Sequence, residues 1–252
     1  MSVLSRLVPI ASQRFPKLSS RVLASSGYTL DVDSFGDGAF SVWSDATARR
    51  QDRAWQPIIA DALAGNPRED VVSLHAAVDA LPARPSSLLE SGCGGGYNSA
   101  VLTAWLPEAD YLGIDISASM IALATEHYPA QNFEVASAYD LPAADSSRDV
   151  VIDGVALIHM PDWQRAVSEY ARVTRGHVIL HGVTVTELPT TRFAKYAYGQ
   201  PAQEFVFNRA ELLGVAEKNG LRLMSTHPGL DYDLADYLGI PSVSEAWVLS
   251  LA

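Results

Sequence analysis

From about residue 86 onward, short runs of β-branched and apolar residues alternate with longer segments in which apolar residues recur at helical spacing. This alternation is typical of a parallel sheet whose strands are joined by crossover helices. Five runs are predicted strands, namely Ser86–Glu90, Asp110–Ile114, Asn132–Ala136, Asp149–Asp153 and His177–Val183. The segments between them that are predicted helices are Tyr97–Leu106, Ser117–Tyr128 and Trp163–Thr174. The pattern therefore predicts an α/β fold with four or five βα units.

The C-terminal part of the chain predicts one more helix and two more strands. Asn208 with a glutamate three positions later is a typical helix start, and Asn219-Gly220 is a typical helix end. Leu221–Thr226 and Val243–Leu251 have the composition of strands. The connection between these strands is too short for a crossover helix, so they should form an antiparallel hairpin at the sheet edge. The prediction is a doubly wound, seven-stranded and mostly parallel sheet with an antiparallel C-terminal hairpin.

Residues 1–85 have a different pattern. Asp45–Leu63 and Glu69–Leu81 carry apolar residues at helical spacing, and Asn66-Pro67 separates them, which predicts two helices. The proline-containing segment Leu81–Pro85 then precedes the first strand of the sheet. We therefore predict a helical N-terminal extension and cap over residues 1–85 and a catalytic domain over residues 86–252.

Size and composition exclude several classes of function. A chain of 252 residues with 48% hydrophobic and 19% charged residues suits one globular catalytic domain with decoration. No apolar run approaches the roughly 18 to 20 residues that span a bilayer, so no stable membrane insertion is expected. Cys93 is the single cysteine, which argues against a disulfide or a cysteine-rich metal site, and a net charge of -11 disfavours nucleic acid. We expect a cytoplasmic protein that binds a small molecule and no metal. A homodimer is possible.

The first 30 residues carry four basic side chains and no acidic one. The basic residues are Arg6, Arg14, Lys17 and Arg21. A helical extension that packs on the domain is the favoured interpretation. An organellar transit peptide or a helix at a membrane surface is the alternative.

A glycine-rich motif follows the first predicted strand of the sheet, in the sequence Glu90-Ser91-Gly92-Cys93-Gly94-Gly95-Gly96. Glycines let the backbone approach a ligand closely, and the start of the next helix offers N–H groups. A dinucleotide-binding fingerprint beginning at Gly92 requires glycine or alanine at position 97, where this chain has Tyr97. A carboxylate at Glu90 would repel a pyrophosphate, but it suits a ligand that carries an ammonium and a sulfonium.

This motif resembles the first motif of the class I S-adenosylmethionine-dependent methyltransferases, an acid followed by G-x-G-x-G. The matching residues are Glu90, Gly92, Gly94 and Gly96. The resemblance implies a Rossmann-like fold, S-adenosylmethionine as the cofactor and S-adenosylhomocysteine as its product. These four residues are therefore expected to bind the cofactor.

A second acid, Asp115, ends the next predicted strand 23 residues after Gly92. An acid at about this spacing reaches a ribose, whose vicinal hydroxyls can both donate to it. The resemblance implies this role for Asp115 and places Ile116 in the same cofactor site. A strand-end aspartate that caps the next helix is the alternative, although Ser117 already supplies a cap.

Two further segments extend the resemblance. The family commonly has aspartate at the position of Ser137, so adenine contacts are expected here from the Ser137 hydroxyl and from the backbone of Ala138 and Tyr139. After the fourth strand, Gly154 and Val155 match positions at which the family's backbone carbonyls meet the methionine ammonium. The resemblance covers residues 86 to about 182 and the C-terminal hairpin in outline, whereas residues 1–85 carry no such motif.

A sulfonium already activates the methyl group, so the protein needs a base only when the acceptor nucleophile is protonated. His159 follows the fourth strand, on the side of a parallel sheet where ligands bind, and is the candidate catalytic base. His181, near the end of the fifth strand, is the runner-up. The alternative is that His159 packs under the cofactor or orients a loop.

Thr184–Phe207 is predicted to be a long connection without clean periodicity, and such segments are usually lids or binding loops. Its aromatic and charged residues suit a small acceptor that is aromatic or partly apolar, although packing on the sheet explains them equally well. They are Arg192, Phe193, Tyr196, Tyr198, Glu204, Phe205 and Phe207. On the N-terminal side, Trp43 and the cluster Arg49-Arg50-Gln51 lie near the start of a predicted helix. One of the two arginines could reach the cofactor carboxylate. The alternative is that both arginines are solvated at the surface.

The sequence thus predicts an enzyme that transfers a methyl group from S-adenosylmethionine to a small-molecule acceptor by in-line displacement. Two alternatives remain: a catalytically altered cofactor-binding protein with a regulatory or scaffolding role, and a nucleotide-cofactor oxidoreductase. Tyr97 and Glu90 argue against the oxidoreductase. The glycine motif and Asp115 argue against a scaffold, while Ser137 departs from the family pattern.

Overall fold

The computed structural model describes residues 27–33, 45–197 and 200–252. The strands in these ranges are β1 (Tyr28–Thr29), β2 (Ser87–Ser91), β3 (Asp110–Asp115), β4 (Asn132–Val135), β5 (Arg148–Gly154), β6 (Thr174–Thr186), β7 (Thr191–Ala197), β8 (Gln200–Asn208), β9 (Leu221–Pro228) and β10 (Val243–Leu251). The helices are α1 (Asp45–Leu63), α2 (Glu69–Asp79), α3 (Tyr97–Trp105), α4 (Ala118–His127), α5 (Trp163–Val173), α6 (Arg209–Lys218) and α7 (Ala235–Leu238).

Seven strands form the main sheet in the order β4-β3-β2-β5-β6-β10-β9. The first five are parallel, and β10 runs antiparallel to both β6 and β9. Helices cover both faces, so the central strands are buried on both sides and their sequences are continuous apolar runs. The predicted Rossmann-like sheet with an antiparallel C-terminal hairpin is confirmed.

The predicted number of strands is wrong, because Thr184–Phe207 is not an irregular connection. β6 continues to Thr186, β7 and β8 pair antiparallel, and β1 pairs with the outer edge of β7. The far end of β6 joins β8 through two parallel residue pairs, Val185↔Phe207 and Thr186↔Asn208. The described residues therefore form a ten-stranded sheet in which three strands were not predicted.

The physical reason lies in side chains that pair across β7 and β8. Lys195 on β7 and Glu204 on β8 form an ion pair, so each charged side chain compensates the other within the sheet. Phe193 and Val206 are buried in a small cluster beside α7, and Phe207 is buried in the main core. Charged residues inside a strand obscure the apolar alternation that sequence analysis relies on.

The helices α1 and α2 precede the sheet. α2 packs on β6, β9 and β10, whereas α1 packs on α3 and α4. The rings of Trp55 in α1 and Tyr97 in α3 stack with their centroids 5.5 Å apart. The basic segment predicted within residues 1–30 falls mainly in residues 1–26, which lie outside the described residues, as does Trp43. None of the helices in the described ranges is long and apolar enough to cross a bilayer.

Candidate functional site

A cavity of about 550 Å³ lies at the carboxyl ends of the parallel strands, where α/β sheets bind their ligands. Its floor comes from the ends of β2, β3 and β5 and from the residues after β4. Gln51 and Trp55 of α1 line one side of the cavity, and Lys195, Ala202 and Glu204 of the β7–β8 pair line another. The structure therefore joins the sheet, the N-terminal helix and the unpredicted strands in one site.

The glycine turn is left-handed at three positions. Gly92, Gly94 and Gly96 have φ angles of 72°, 55° and 79°, a region that other residues rarely adopt. Gly92 and Gly94 line the cavity, whereas Gly96 does not. A Cβ at Gly96 would lie 2.9 Å from the rings of Tyr128 and Phe133, so this glycine lets α3 begin close to α4 and β4.

Glu90, at the start of the glycine turn, is buried and only 1% exposed. Its Oε1 accepts a hydrogen bond from Asn98 Nδ2 at 2.8 Å, and its Oε2 accepts one from the Tyr111 hydroxyl at 2.5 Å. Burial raises the pKa of Glu90 to about 7 despite these two bonds. Both donors are neutral, so a cation bound in the cavity would compensate the carboxylate charge.

Asp115 connects the end of β3 to the glycine turn. Its Oδ2 accepts a hydrogen bond from Gly94 N at 3.0 Å, and its Oδ1 accepts one from Ser117 N at 2.8 Å. Ser117 in turn caps α4 by accepting from Met120 N, so Asp115 both organises the helix start and lines the cavity. Ile116, which is 70% exposed, presents an apolar side chain at the rim.

The residues after β4 form a tight turn along the cavity. Ser137, Ala138 and Tyr139, the residues predicted to contact the adenine, all line it. Ser137 Oγ accepts a hydrogen bond from Tyr139 N at 3.1 Å, so the hydroxyl fixes the turn as well as facing the site.

Gly154 and Val155 also line the cavity, and Val155 has a φ of 62°. A positive φ is strained for a β-branched residue, and such strain concentrates at functional sites. Asp153 holds the turn by accepting hydrogen bonds from Ala156 N at 3.2 Å and Leu157 N at 2.9 Å.

The role of Asp153 was not predicted from the sequence. It is fully buried, it accepts a hydrogen bond from the Tyr170 hydroxyl at 3.0 Å, and burial raises its pKa to about 7. Its position in the sequence could have identified it, because Asp153 lies at the end of a parallel strand, as Glu90 and Asp115 do.

His159 lines the cavity from a 3₁₀ turn, Leu157–His159, that follows β5. Its Nδ1 lies 2.8 Å from the carbonyl oxygen of Gln203 in β8. A carbonyl only accepts, so Nδ1 carries a proton and the neutral ring has its lone pair on Nε2. Burial lowers the pKa of His159, which favours this neutral form.

Next to His159, the β7–β8 pair presents two charged side chains. Glu204 is 2% exposed, and its Oε1 lies 2.7 Å from Lys195 Nζ. The Tyr232 hydroxyl donates to Glu204 Oε2 at 3.4 Å, and the Lys195 ammonium lies 5.0 Å from the centre of the Tyr232 ring. Glu204 was a candidate from sequence, whereas Lys195 and Tyr232 were not, since nothing in sequence showed that these three residues meet.

Other candidates do not reach the cavity. His181 is buried on β6 with its Nε2 3.0 Å from the carbonyl oxygen of Asp70. Arg49 and Arg50 are exposed, whereas Gln51, the next residue, faces the site. Arg192 pairs with Asp33 at the surface.

Comparison with known proteins gives a consistent result. Residues 89–180 match the profile of a family described as a methyltransferase domain. The chain is 34% identical over 118 residues to a malonyl-[acyl-carrier protein] O-methyltransferase of Methylococcus capsulatus, covering 46% of this chain and 43% of that protein. It is 38% identical over 98 residues to the O-methyltransferase rstn1 of Aspergillus nomiae, covering 36% and 43%. The matched region thus spans less than half of either relative.

A solved structure resembles almost the whole chain. It is a 1,6-didemethyltoxoflavin-N1-methyltransferase of Burkholderia thailandensis with bound 1,6-didemethyltoxoflavin and S-adenosylhomocysteine. The two chains superimpose with a TM-score of 0.53 and 18% identity, covering 94% of this chain and 90% of the other. At this identity the likeness shows a shared fold.

Gly154 offers a test of how tightly the site is packed. A Cβ at this position would lie 2.6 Å from Glu90 Oε1 and 2.8 Å from the Gly92 carbonyl oxygen, and the latter belongs to the backbone. Gly154→Ala is therefore expected to lower the free energy of unfolding in urea by about 1–3 kcal/mol. In the matched control Gly214→Ala, within α6, the new Cβ meets nothing within 4 Å. This control should gain roughly 0.5–1 kcal/mol from helix propensity. Equal effects of the two changes would contradict the close approach.

Proposed function

Because this chain belongs, through residues 89–180, to the class I S-adenosylmethionine-dependent methyltransferases, we propose that it transfers a methyl group from S-adenosylmethionine to a small-molecule acceptor. The observation that carries this proposal is the pair of acids at the ends of neighbouring parallel strands. Glu90 on β2 and Asp115 on β3 line one cavity and flank one glycine turn.

The two acids suit different parts of the cofactor. Glu90 is buried among neutral donors, so its carboxylate favours the positively charged amino-acid and sulfonium end. Asp115 is held by two backbone N–H groups, and its carboxylate can accept from two further hydroxyls of a ribose. The turn after β4 and the Ile116 side chain then border the adenine. Gly154 and Val155 offer backbone carbonyls near Glu90.

The protein's contribution to the reaction is alignment. Bound S-adenosylmethionine would supply an activated methyl group. A cavity that holds the acceptor nucleophile in line with this methyl group speeds the reaction, because the two reactants no longer have to meet in solution. The 550 Å³ volume is within the range of small-ligand sites. Apolar side chains of Ile158, Met160 and Ala202 beside His159 suit an acceptor that is partly apolar.

We assign the catalytic base to His159 for an acceptor that arrives protonated, such as a hydroxyl. The neutral ring can take the proton at Nε2, because Nδ1 donates to Gln203. The anionic Glu204 favours the imidazolium that results, while Lys195 opposes it. An acceptor that is already ionised would need no base.

Calorimetric titration with S-adenosylmethionine, S-adenosylhomocysteine and NADH tests the cofactor assignment. Both sulfur ligands should bind and NADH should not. Asp115→Ala should weaken their binding by roughly 1.5–3 kcal/mol, the scale of hydrogen bonds to a charged group. Asp140→Ala, an exposed aspartate outside the cavity, should leave the affinities unchanged. Binding of NADH alone would favour the oxidoreductase, and binding of the sulfur ligands without turnover of any acceptor would favour a regulatory protein.

The raised pKa of Glu90 predicts a proton linked to binding. With a pKa of about 7, Glu90 is largely protonated in the ligand-free protein at pH 6, and a nearby ammonium favours its ionised form. Binding of S-adenosylhomocysteine at pH 6 should therefore release a proton, and at pH 9 it should release none from this group. The measurement is the binding enthalpy in buffers of different ionisation enthalpy. Glu90→Gln should abolish the pH 6 release, and proton uptake by the wild-type protein would refute the assignment.

The base assignment is tested on an acceptor found by screening for S-adenosylhomocysteine formation. With a hydroxyl acceptor, His159→Gln should lower kcat by roughly 10²- to 10⁴-fold, the usual contribution of general base catalysis, and leave cofactor affinity unchanged. The control is His75→Gln, because His75 is a surface residue of α2 paired with Asp79. If kcat of His159→Gln equals that of the wild-type protein and does not depend on pH, His159 is not the catalytic base.

A further inference from the structure

The N-terminal helix α1 presents an unsatisfied acceptor to the cavity. Gln51 lines the cavity, and its side-chain oxygen Oε1 is buried without a hydrogen-bond partner in the described part of the chain. Buried polar atoms are normally paired, and leaving one unpaired is costly. An orphaned acceptor that faces a ligand cavity indicates that a hydrogen-bond donor on the ligand completes it.

The packing of α1 shows which end of the cavity Gln51 serves. Trp55 lies one helical turn after Gln51, lines the same cavity and stacks on Tyr97. The guanidinium of Arg68 lies 4.8 Å from the centre of the Trp55 ring, on the α2 side. Tyr97 is the first residue of α3 and follows the glycine turn directly. The cavity-facing side of α1 is thereby held against the first turn of the helix that follows the glycine turn.

We propose that Gln51 is a cofactor-recognition residue whose Oε1 accepts a hydrogen bond from the ammonium group of the amino-acid end of S-adenosylmethionine. This proposal rests on the proposed function. The cofactor carries three kinds of donor: the ribose hydroxyls, the adenine amino group and the ammonium. For the first two, Asp115 and the turn after β4 already offer acceptors in the same cavity. The ammonium carries three N–H donors, so it can donate to Glu90, to a backbone carbonyl after β5 and to Gln51.

A neutral amide at this position also fits the charge of its surroundings. Glu90 already supplies a carboxylate to the same cavity, so the site needs no second charge to attract a cation. Gln51 adds an acceptor without adding charge. It would fix the direction of the amino-acid chain, while Glu90 would supply most of the attraction.

The test compares two ligands that differ at one end. S-adenosylhomocysteine has the amino-acid chain, whereas 5′-methylthioadenosine keeps the adenosine and the thioether and lacks it. Both are titrated calorimetrically at pH 8 into the wild-type protein, Gln51→Met and Gln51→Glu. Methionine matches the length of glutamine without the amide oxygen, and glutamate keeps an acceptor at the same position. The control is Gln56→Met, because Gln56 lies on the same helix, donates to Asp52 at 3.1 Å and does not line the cavity.

Gln51→Met should weaken S-adenosylhomocysteine binding by roughly 10- to 100-fold and leave 5′-methylthioadenosine binding unchanged. Gln51→Glu should retain the affinity for S-adenosylhomocysteine, and Gln56→Met should affect neither ligand. Equal weakening of both ligands by Gln51→Met, or weakening of neither, would overturn the proposal. If Gln51→Glu loses as much affinity for S-adenosylhomocysteine as Gln51→Met does, the proposal is also overturned. That result would mean that the Gln51 amide N–H donates to the ligand carboxylate. Failure of the wild-type protein to bind either ligand would instead refute the proposed function.

Discussion

The carboxylate of Glu90 is buried at the end of β2, and several neighbouring features accommodate the cost of keeping it there. Asn98 and Tyr111 satisfy its oxygens from two directions, and Gly154 has no side chain where a Cβ would collide with it. Asp153, a second buried acid, lies on the adjacent strand; burial raises its pKa, and the charge of Glu90 raises it further. Two such groups in one region make an incoming cation the natural counterpart of the site.

Parallel strand order explains why the acids meet. Carboxyl ends of parallel strands lie at one edge of a sheet, so residues separated by more than 60 positions, such as Glu90 and Asp153, become neighbours. The glycine turn then closes over this edge, and a hydrogen bond from Gly94 N ties it to Asp115. The ligand-binding geometry is thus a direct product of sheet topology and requires little from the loops beyond their backbone.

The α/β core and the cavity residues at the ends of β2 and β3 were predictable, because strands buried on both faces leave uninterrupted apolar runs and the acids that end them stand out. The arrangement of His159 and the β7–β8 pair at the cavity wall was not. His159 was recognisable as a candidate, but its partner is a backbone carbonyl 44 residues later, which has no sequence signal. Lys195 and Glu204 looked like loop residues because their mutual pairing depends on strand register. Gly96 matches the motif and also has a packing role between α3, α4 and β4, which spacing alone does not indicate.

The β7–β8 pair joins the main sheet through only two residue pairs with β6, yet it supplies Lys195, Ala202 and Glu204 to the cavity wall. The half of the cavity proposed to hold the cofactor is built from strands that the whole core depends on, whereas this pair is an addition at one edge. The two halves can therefore change independently during evolution. Under the proposed function, exchanging β7 and β8 for those of another methyltransferase is a route to a different acceptor range.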